Sequence, residues 1–328
     1  TTVITHFFYK QTSTFCYHCI ILLRGVLHFY LFKSIRSKIV NIKGFSFIFT
    51  WKFIRMTINC KGNLLNLNTA KVMGILNITP DSFFDGGKYK TDVAILTQAE
   101  KMLNEGATFI DVGAYSSRPG ATHITEDEEL QRILPTLDLL LKNFPESYIS
   151  VDTFRSKVAE KSIVSGAAII NDISGGKMDA NMFTTVAKLQ VPYIMMHMQG
   201  TPQNMQKNPQ YENIVSEITS FFASQIFKLK QLKVNDILID VGFGFGKTIT
   251  HNYQLLQQLS LFKNLDAPIL TGVSRKSMLY KVLDTDASNA LNATTVANTI
   301  ALLNGTNILR VHDVKEAIEA VKIVEQLQ

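Results

Sequence analysis

Eight short apolar runs in this chain each end on a polar residue that is capable of chemistry. These residues are Asn77, Asp111, Asp152, Asn171, His197, Asp240, Ser274 and His312. They lie nineteen to forty-three residues apart, which leaves room for a helix and two loops after each run. Buried parallel strands are nearly continuous apolar runs, and parallel barrels place their sites at the carboxyl ends of such strands. The pattern therefore predicts an α/β fold, a (β/α)8 TIM barrel with a polar site at one mouth.

Helical patterns alternate with the eight runs. They cover residues 91–106, 126–143, 155–166, 179–190, 211–233, 251–263, 288–305 and 314–328. No linker rich in Pro, Gly and Ser interrupts this alternation, so residues 56–328 are predicted to form one domain. An open, doubly wound sheet remains the alternative, because a sequence does not show closure. Residues 56–68 predict an N-terminal β-hairpin, with a turn at Lys61, Gly62 and Asn63, that plugs the bottom of the barrel.

Residues 1–55 lack this patterning and are expected to be a leader. They hold eight basic residues and no acidic one, and they do not begin with Met. Three interpretations compete: a membrane anchor over residues 15–32, an organelle transit peptide, and an extension that is not part of the natural protein, with translation starting at Met56. Arg24 inside the apolar run would cost about 2.5 kcal/mol or more on insertion, and transit peptides are usually richer in Ser. We expect the third.

Charge and cysteine content exclude several classes of protein. The net charge is +6, but residues 56–328 hold 25 basic and 27 acidic residues, a net of −2. Neither a nucleic-acid partner nor a membrane is therefore expected for these residues. Cys60 is the only cysteine beyond the leader, which favours a reducing, cytoplasmic location. Cys16 and Cys19 form a lone CxxC pair, which falls short of the four ligands of a structural zinc site.

Three loops on the expected active-site face carry further information. Residues 79–90 and 114–125 are longer than usual connections and rich in Gly, Ser and Pro, which predicts a lid or a substrate clamp. The GFGFGK string at 242–247 lacks the spacing of a phosphate-binding loop. Its glycines predict close backbone approach instead, with Phe243 or Phe245 walling a pocket.

Asp152, Asn171 and Asp240 end three different strands and are expected to converge at the barrel mouth. Carboxylates and an amide suit the edge of a flat heterocycle that carries amine and ring N–H donors. One such residue alone is as often a buried polar group satisfied by its neighbours, but three together favour a ligand. His197, by contrast, lies among three methionines and is expected to be a packed core residue.

Cations are expected at another part of the mouth. They are Arg118 in the second long loop, Arg275 and Lys276 after the seventh run, and Arg310 and His312 at the eighth. The arginine fork matches phosphate oxygens, which predicts a phosphate or diphosphate site. Asn77 offers a hard oxygen ligand to a magnesium ion held mainly by phosphates and waters.

Eight strings of the chain resemble, in order, those of the bacterial dihydropteroate synthase family. They are GILNITPDSFFDGG, DVGAYSSRPGA, SVDT, NDISGG, HMQGTPQNM, DVGFGFGK, GVSRKS and RVHDV, and they extend from about residue 72 to residue 314. The resemblance implies a transferase of folate biosynthesis, inhibited by sulfonamides. Its reaction joins 6-hydroxymethyl-7,8-dihydropterin diphosphate to 4-aminobenzoate, giving 7,8-dihydropteroate and diphosphate. It also implies a Mg2+ cofactor and a homodimer.

The resemblance assigns roles to individual residues. Residues expected to hold the pterin are Asp152, Asn171, Asp240 and Lys276, with Asp111 nearby. Residues expected to contact the diphosphate and magnesium are Asn77, Arg118, Arg310 and His312. Those expected around the aminobenzoate are Ser117, Pro119, Phe245 and Ser274. The catalytic set within these groups is Lys276, Arg310, His312 and Asp152.

The chain departs from the usual family pattern at several positions. They are Phe84 for Ser, Ala114 and Tyr115 for Gly-Glu, Ser117 for Thr, and Val241 for Pro. These changes concern aminobenzoate and sulfonamide affinity more than the class of reaction. Two rival functions are a pterin-binding methyltransferase, which needs no diphosphate site, and a catalytically silent barrel kept as a scaffold. The SRPG and RVHD strings argue against the first, and the complete set of strand-end residues argues against the second.

Overall fold

The computed structural model describes residues 38–42, 45–49, 56–78, 87–116 and 123–327. The chain divides into two compact units, Thr1–Ile54 and Arg55–Gln328. In the first unit, strands Lys38–Ile42 (β1) and Phe45–Phe49 (β2) form an antiparallel pair that the sequence had not predicted. Among the described residues, no helix is both long and apolar enough to cross a membrane.

The second unit is the predicted closed barrel of eight parallel strands. In chain order they are Lys71–Asn77 (β5), Phe109–Gly113 (β6), Tyr148–Asp152 (β7), Ile169–Asp172 (β8), Tyr193–Met196 (β9), Ile237–Asp240 (β10), Ile269–Thr271 (β11) and Ile308–Val311 (β12). Each strand pairs with the next, and β12 pairs with β5 to close the ring. The open-sheet alternative is therefore wrong.

Helices follow the strands and cover the outside of the barrel. They are Gly87–Asn104 (α1), Glu126–Asn143 (α2), Ser156–Val164 (α3), Met182–Leu189 (α4), Ile214–Gln231 (α5), Ile249–Gln257 (α6), Ser277–Tyr280 (α7), Leu291–Leu303 (α8) and Val314–Glu325 (α9). Helix α1 begins four residues before the expected Thr91. The helix expected over 251–263 is α6 followed by a 3-10 helix at Leu259–Leu265, and the short α7 was not predicted.

The hairpin is confirmed, with a shorter turn than expected. Strands Thr57–Cys60 (β3) and Asn63–Asn66 (β4) pair antiparallel, and Asn63 is already opposite Cys60. The turn is Lys61-Gly62, and both residues have positive φ (54° and 86°), as a type I′ turn requires.

The hairpin lies at the amino ends of the barrel strands. Asp236, which precedes β10, accepts a hydrogen bond from the backbone N–H of Asn59 (3.2 Å), and Asn307, which precedes β12, donates to the carbonyl of Leu67 (2.9 Å). Ile58, Cys60 and Leu67 pack into the apolar floor formed by residues from the barrel strands. This apolar floor closes the lower mouth and leaves the carboxyl ends of the strands for a site.

Candidate active site

The two-residue period of the strands explains which side chains face the barrel interior. Phe109, Ile169, Leu238 and Ile308 all belong to the interior floor, whereas Ile149 and Ile237 belong to the layer beneath the helices. Successive side chains on a strand point to opposite faces. A residue two positions after an interior one is therefore also interior, which applies to Asp111, Asn171, Asp240 and Arg310.

Strand register then brings the polar ends together. Asn77 is paired with Gly113, Gly113 with Asp152, and Asp152 with Asn171. One row at the carboxyl end of four adjacent strands thus carries an amide, a glycine, a carboxylate and a second amide. The convergence expected of Asp152 and Asn171 follows directly from this register.

Arg310 spans the mouth from the eighth barrel strand to these acids. Its Nε donates to Oδ2 of Asp111 (2.6 Å) and its Nη2 to Oδ2 of Asp152 (2.8 Å). Asn171 donates from Nδ2 to the same Asp111 oxygen (3.0 Å), and Asp111 is fully buried. Asp111 therefore holds both Arg310 and Asn171 in place. Among the described residues, none bonds Nη1 of Arg310.

Burial controls the protonation of Asp152. It raises the pKa of Asp152 to about 7, against the opposing effect of the Arg310 guanidinium. Although burial also disfavours the charge of Arg310, Asp111 and Asp152 raise its pKa above the usual range. Near neutral pH the mouth therefore combines a permanent cation with a carboxyl group that can gain or lose a proton.

Asp240 and Lys276 form a second charged group on the same mouth. Burial raises the pKa of Asp240, opposed by Lys276, and burial lowers the pKa of Lys276 to about 8. The Lys276 Nζ donates to the carbonyl of Phe243 (2.5 Å) and lies 4.8 Å from the centre of the Phe245 ring. The sequence predicted that either Phe243 or Phe245 walls a pocket. The structure places the Phe245 ring beside Lys276, whereas the Phe243 side chain is fully buried.

Ser274 and His312 are adjacent because they follow the carboxyl ends of the neighbouring strands β11 and β12, Ser274 three residues beyond Thr271 and His312 directly after Val311. Ser274 Oγ lies 3.0 Å from Nδ1 of His312 and accepts the backbone N–H of that residue (3.2 Å). Arg275 was predicted to bind an anion, and the structure does not support this role. It is held by both carboxylate oxygens of Asp313 (2.9 and 2.8 Å) and by two loop carbonyls, so it has a structural role.

An apolar wall flanks the charged groups. It consists of Phe154, Ile173, Met196, Met198 and Met205, against which Tyr115, Met178 and Phe245 pack. Buried carboxylates and an amide beside an apolar wall suit a flat ring with N–H donors on its edge. Ser117, Arg118, Pro119 and Phe84 lie outside the described residues, so their expected roles remain predictions.

A buried ion pair that the sequence analysis missed fixes the return from the second long loop. Arg155 Nη1 bonds to Oε2 of Glu129, and its Nη2 donates to the carbonyl of Ile124 (2.6 Å). Glu129 is fully buried. Its position one turn before the buried Ile133 of α2 was the available signal, because a charged residue in phase with an apolar stripe needs a partner.

Tyr115, one of the departures from the family pattern, connects three segments. Its hydroxyl lies 3.3 Å from Nδ1 of His123 and accepts a hydrogen bond from Nε2 of Gln203 (3.1 Å). Its ring packs edge-on against Phe154, with centroids 5.1 Å apart. The two ends of the second long loop and the loop after β9 thus meet at this phenol.

The donor set near Asn77 fits a magnesium ion that is held mainly by diphosphate. The described residues contain no cluster of three or more His, Cys, Asp or Glu suited to a metal. However, a Cβ built on Gly113 would lie 3.5 Å from Oδ1 of Asn77 and 3.8 Å from Oδ2 of Asp152, so the glycine leaves the space between two oxygen donors open. Magnesium usually takes few protein ligands and completes its shell with phosphate oxygens and water.

Comparisons with known proteins agree with this geometry. Residues 73–312 match the family described as pterin binding enzyme. Dihydropteroate synthase of Escherichia coli K12 is 42% identical over 272 residues, which cover 82% of this chain and 96% of that protein. Dihydropteroate synthase of Haemophilus influenzae is 40% identical over 270 residues, with 82% and 98% coverage.

Solved structures give the same result. Yersinia pestis dihydropteroate synthase in a sulfonamide drug complex superposes with a TM-score of 0.77 at 41% identity, covering 83% of this chain and 98% of that one. The Xanthomonas albilineans enzyme with 4-aminobenzoic acid gives 0.78 at 34% identity, with 84% and 98% coverage.

Proposed function

Because this chain belongs to the dihydropteroate synthase family of pterin-binding enzymes, we propose how its own residues perform that family's reaction. The enzyme joins 6-hydroxymethyl-7,8-dihydropterin diphosphate to 4-aminobenzoate and releases diphosphate. The observation that carries the assignment of residues is the register row from Asn77 to Asn171, spanned by Arg310. This row supports a single site at the barrel mouth, in which the residues that bind the heterocycle directly contact the arginine that binds the diphosphate.

The pterin ring lies against the apolar wall with its N–H donors toward the acids. Asp152 and Asp240 accept from the ring edge, and Asn171 both donates and accepts. Lys276 faces a ring carbonyl or nitrogen, since its Nζ is held beside Asp240 and Phe243. Enclosure of these groups excludes water that would otherwise capture a reactive pterin cation.

The bond that breaks joins the pterin methylene carbon to the diphosphate oxygen. Its electron pair leaves with the diphosphate, where Arg310, His312 and Arg118 stabilise the growing negative charge. The carboxylates of Asp152 and Asp111 favour the cation that remains on the dihydropterin. The aromatic amine then forms the new C–N bond, and one amine proton is released.

Magnesium supplies further charge neutralisation on the diphosphate when it is bound. Asn77 is its protein ligand in this proposal, which the open space beside Gly113 supports. The aminobenzoate lies beside Phe245 and Ser274, with Ser117 and Pro119 of the second long loop on its other side. Phe245 lies beside Lys276 and Ser274 precedes Lys276 by two residues in the chain, which supports this placement next to the methylene carbon.

The protein is a homodimer in this proposal, and exposed apolar side chains indicate the surface. Helices α6, α7 and α8 pack against one another. On α8, Val296, Ile300 and Leu303 are 52%, 38% and 57% exposed at positions that share one helix face. Val282 and Leu283 after α7 are exposed as well. A cytoplasmic location remains a prediction.

The experiment is a turnover assay on the full chain with both substrates. We expect dihydropteroate and diphosphate to form in equal amounts, only when pterin diphosphate, 4-aminobenzoate and Mg2+ are all present. Asp152→Ala should weaken pterin binding, and Arg310→Ala should lower the rate severely. Diphosphate release without aminobenzoate, or normal activity in both variants, would contradict the proposal.

A further inference from the structure

Lys247 is a buried lysine at the junction of two loops above the barrel. The residue is only 4% exposed to solvent. The Nζ donates to the carbonyls of His197 (3.2 Å) and Phe245 (2.9 Å) and lies 3.2 Å from Nδ1 of His197. One amino group therefore joins the end of β9 to the loop after β10.

His197 is a neutral ring held in place on all sides. Burial, together with the charge of Lys247, lowers its pKa to about 2. The ring packs edge-on against Phe221, with centroids 5.1 Å apart, and is tilted against Tyr211 at 6.2 Å. A neutral imidazole with its proton on Nε2 leaves Nδ1 free to accept a hydrogen bond from the Lys247 ammonium, which has donors only. The one strand-end residue without an expected role is thus the direct partner of this lysine.

Two glycines bring the loops into contact around this pair. A Cβ at Gly242 would lie 2.0 Å from the His197 carbonyl oxygen, and one at Gly246 would lie 2.6 Å from that of Gln199. Both glycines have positive φ (70° and 63°), a backbone conformation that residues with a side chain rarely adopt. The backbone of the 242–247 loop therefore lies directly on residues 197–199.

The same loop holds three groups of the proposed site. Gly242 donates its N–H to Oδ1 of Asp240 (2.8 Å), and the Phe243 carbonyl accepts from Lys276. Phe245 presents its ring to Lys276. A displacement of this loop would move the Phe245 wall and release Lys276, while the Asp111, Asp152 and Asn171 group on other strands would stay in place.

We propose that Lys247 and His197 are a positioning pair, which fixes the 242–247 loop so that Phe245 walls the aminobenzoate side of the site and Lys276 keeps its place between that side and the pterin ring. This inference rests on the proposed function. Neither residue touches the reacting atoms. Their effect passes through the Phe245 backbone and the Phe243 carbonyl.

The test uses Lys247→Met, which keeps the length of the side chain and removes its donors. We expect the KM for aminobenzoate to rise about tenfold, with kcat at saturation reduced less than threefold. His197→Leu should have the same effect. His197→Asn, whose amide can still bond to Lys247, should remain within threefold of the wild type. Lys161→Met, at an exposed position of α3, is the matched control and should change neither constant.

A second measurement does not depend on turnover. The rate at which an amine-reactive reagent labels Lys276, followed by mass spectrometry, should rise in Lys247→Met and His197→Leu because the Phe243 carbonyl no longer holds the amine. An inactive wild type with this labelling change would refute the proposed function and leave the positioning pair intact. Unchanged KM and unchanged labelling, with only a lower melting temperature, would show that the pair is merely structural. If Lys247→Met does not fold, the His197→Leu and His197→Asn comparison decides.

Discussion

Arg310 Nη2 lies 2.8 Å from Oδ2 of Asp152, so the cation assigned to the diphosphate is bonded to an acid assigned to the pterin. Nε of the same guanidinium is bonded to the fully buried Asp111. The two substrate portions are therefore recognised by one connected network. A displacement of either acid, or a change in the protonation of Asp152, therefore alters the position and the environment of the arginine.

Removal of the Arg310 side chain should reduce both stability and rate. Arg310→Ala leaves the buried Asp111 and Asp152 carboxylates facing each other without a cation, at a cost of about 3 kcal/mol in the free energy of unfolding. The rate should fall by about 10²–10³, because charge on the leaving diphosphate loses a donor. Arg310→Lys should regain much of the stability and little of the rate. Urea unfolding and kcat of the two variants check this, and a lysine variant with the wild-type rate would contradict it.

Pterin binding should weaken in acid. Burial raises the pKa of Asp152 to about 7, so below that pH the carboxyl group is increasingly protonated. It then loses its negative charge and one of its two acceptor oxygens for ring N–H donors. The dissociation constant should then rise by up to about tenfold for each unit of pH below 7. Titration of a pterin ligand by fluorescence between pH 5 and 8 measures this. Asp152→Asn should bind more weakly and show a much flatter profile over the same range.

The alkaline side of the rate profile should depend on Lys276. Burial lowers the pKa of Lys276 to about 8, so the ammonium is lost as the pH rises through that value. We expect kcat/KM to fall above about pH 8 in the wild type. In Lys276→Arg this limb should move to higher pH, because a guanidinium keeps its proton. An alkaline limb that is identical in the two proteins would assign it to another group.

Most of the barrel and the acids at its mouth could be predicted from the sequence. Asp152 ends its strand as expected, and Asp111 lies two residues before the end of β6 but keeps its interior orientation. The reason is that side chains alternate between the two faces of a strand, so buried and exposed positions recur with a fixed period. The apolar pattern of a single sequence shows this period. Identification of the family rested on whole strings such as NDISGG and RVHDV rather than on periodicity.

Contacts between distant segments could not be predicted in this way. Arg275 has the charge and the sequence position expected of an anion ligand. However, Asp313, thirty-eight residues away in the chain, binds its guanidinium with both carboxylate oxygens. Lys247 resembles an exposed loop lysine in sequence, yet it is buried against His197, fifty residues away. Which cation meets which acid depends on loop paths that have no periodic signal, and those loops carry much of the chemistry.

The proposed homodimer surface can be tested by charge substitution. A glutamate within an apolar interface would be buried without a partner, which is strongly unfavourable. Val296→Glu and Leu303→Glu on α8 should therefore convert a dimer to a monomer in sedimentation or light scattering. Val164→Glu, at a 76% exposed position at the end of α3, should leave the mass unchanged and serves as the matched control. A monomeric wild type would refute the dimer itself.

The Tyr115 hydroxyl should affect aminobenzoate more than pterin. It contacts His123 and Gln203 where the two ends of the second long loop meet, and Ser117 and Pro119 lie two and four residues after Tyr115 in the chain. Tyr115→Phe keeps the ring contact with Phe154 and removes only these polar contacts, so the KM for aminobenzoate should rise severalfold while that for pterin diphosphate stays constant. Gln203→Ala should have a smaller effect of the same kind, and the double variant should fall short of the sum because both changes remove one shared bond. Additive effects, or an equal rise in both KM values, would show that the phenol acts through the fold as a whole and not through the aminobenzoate side of the site.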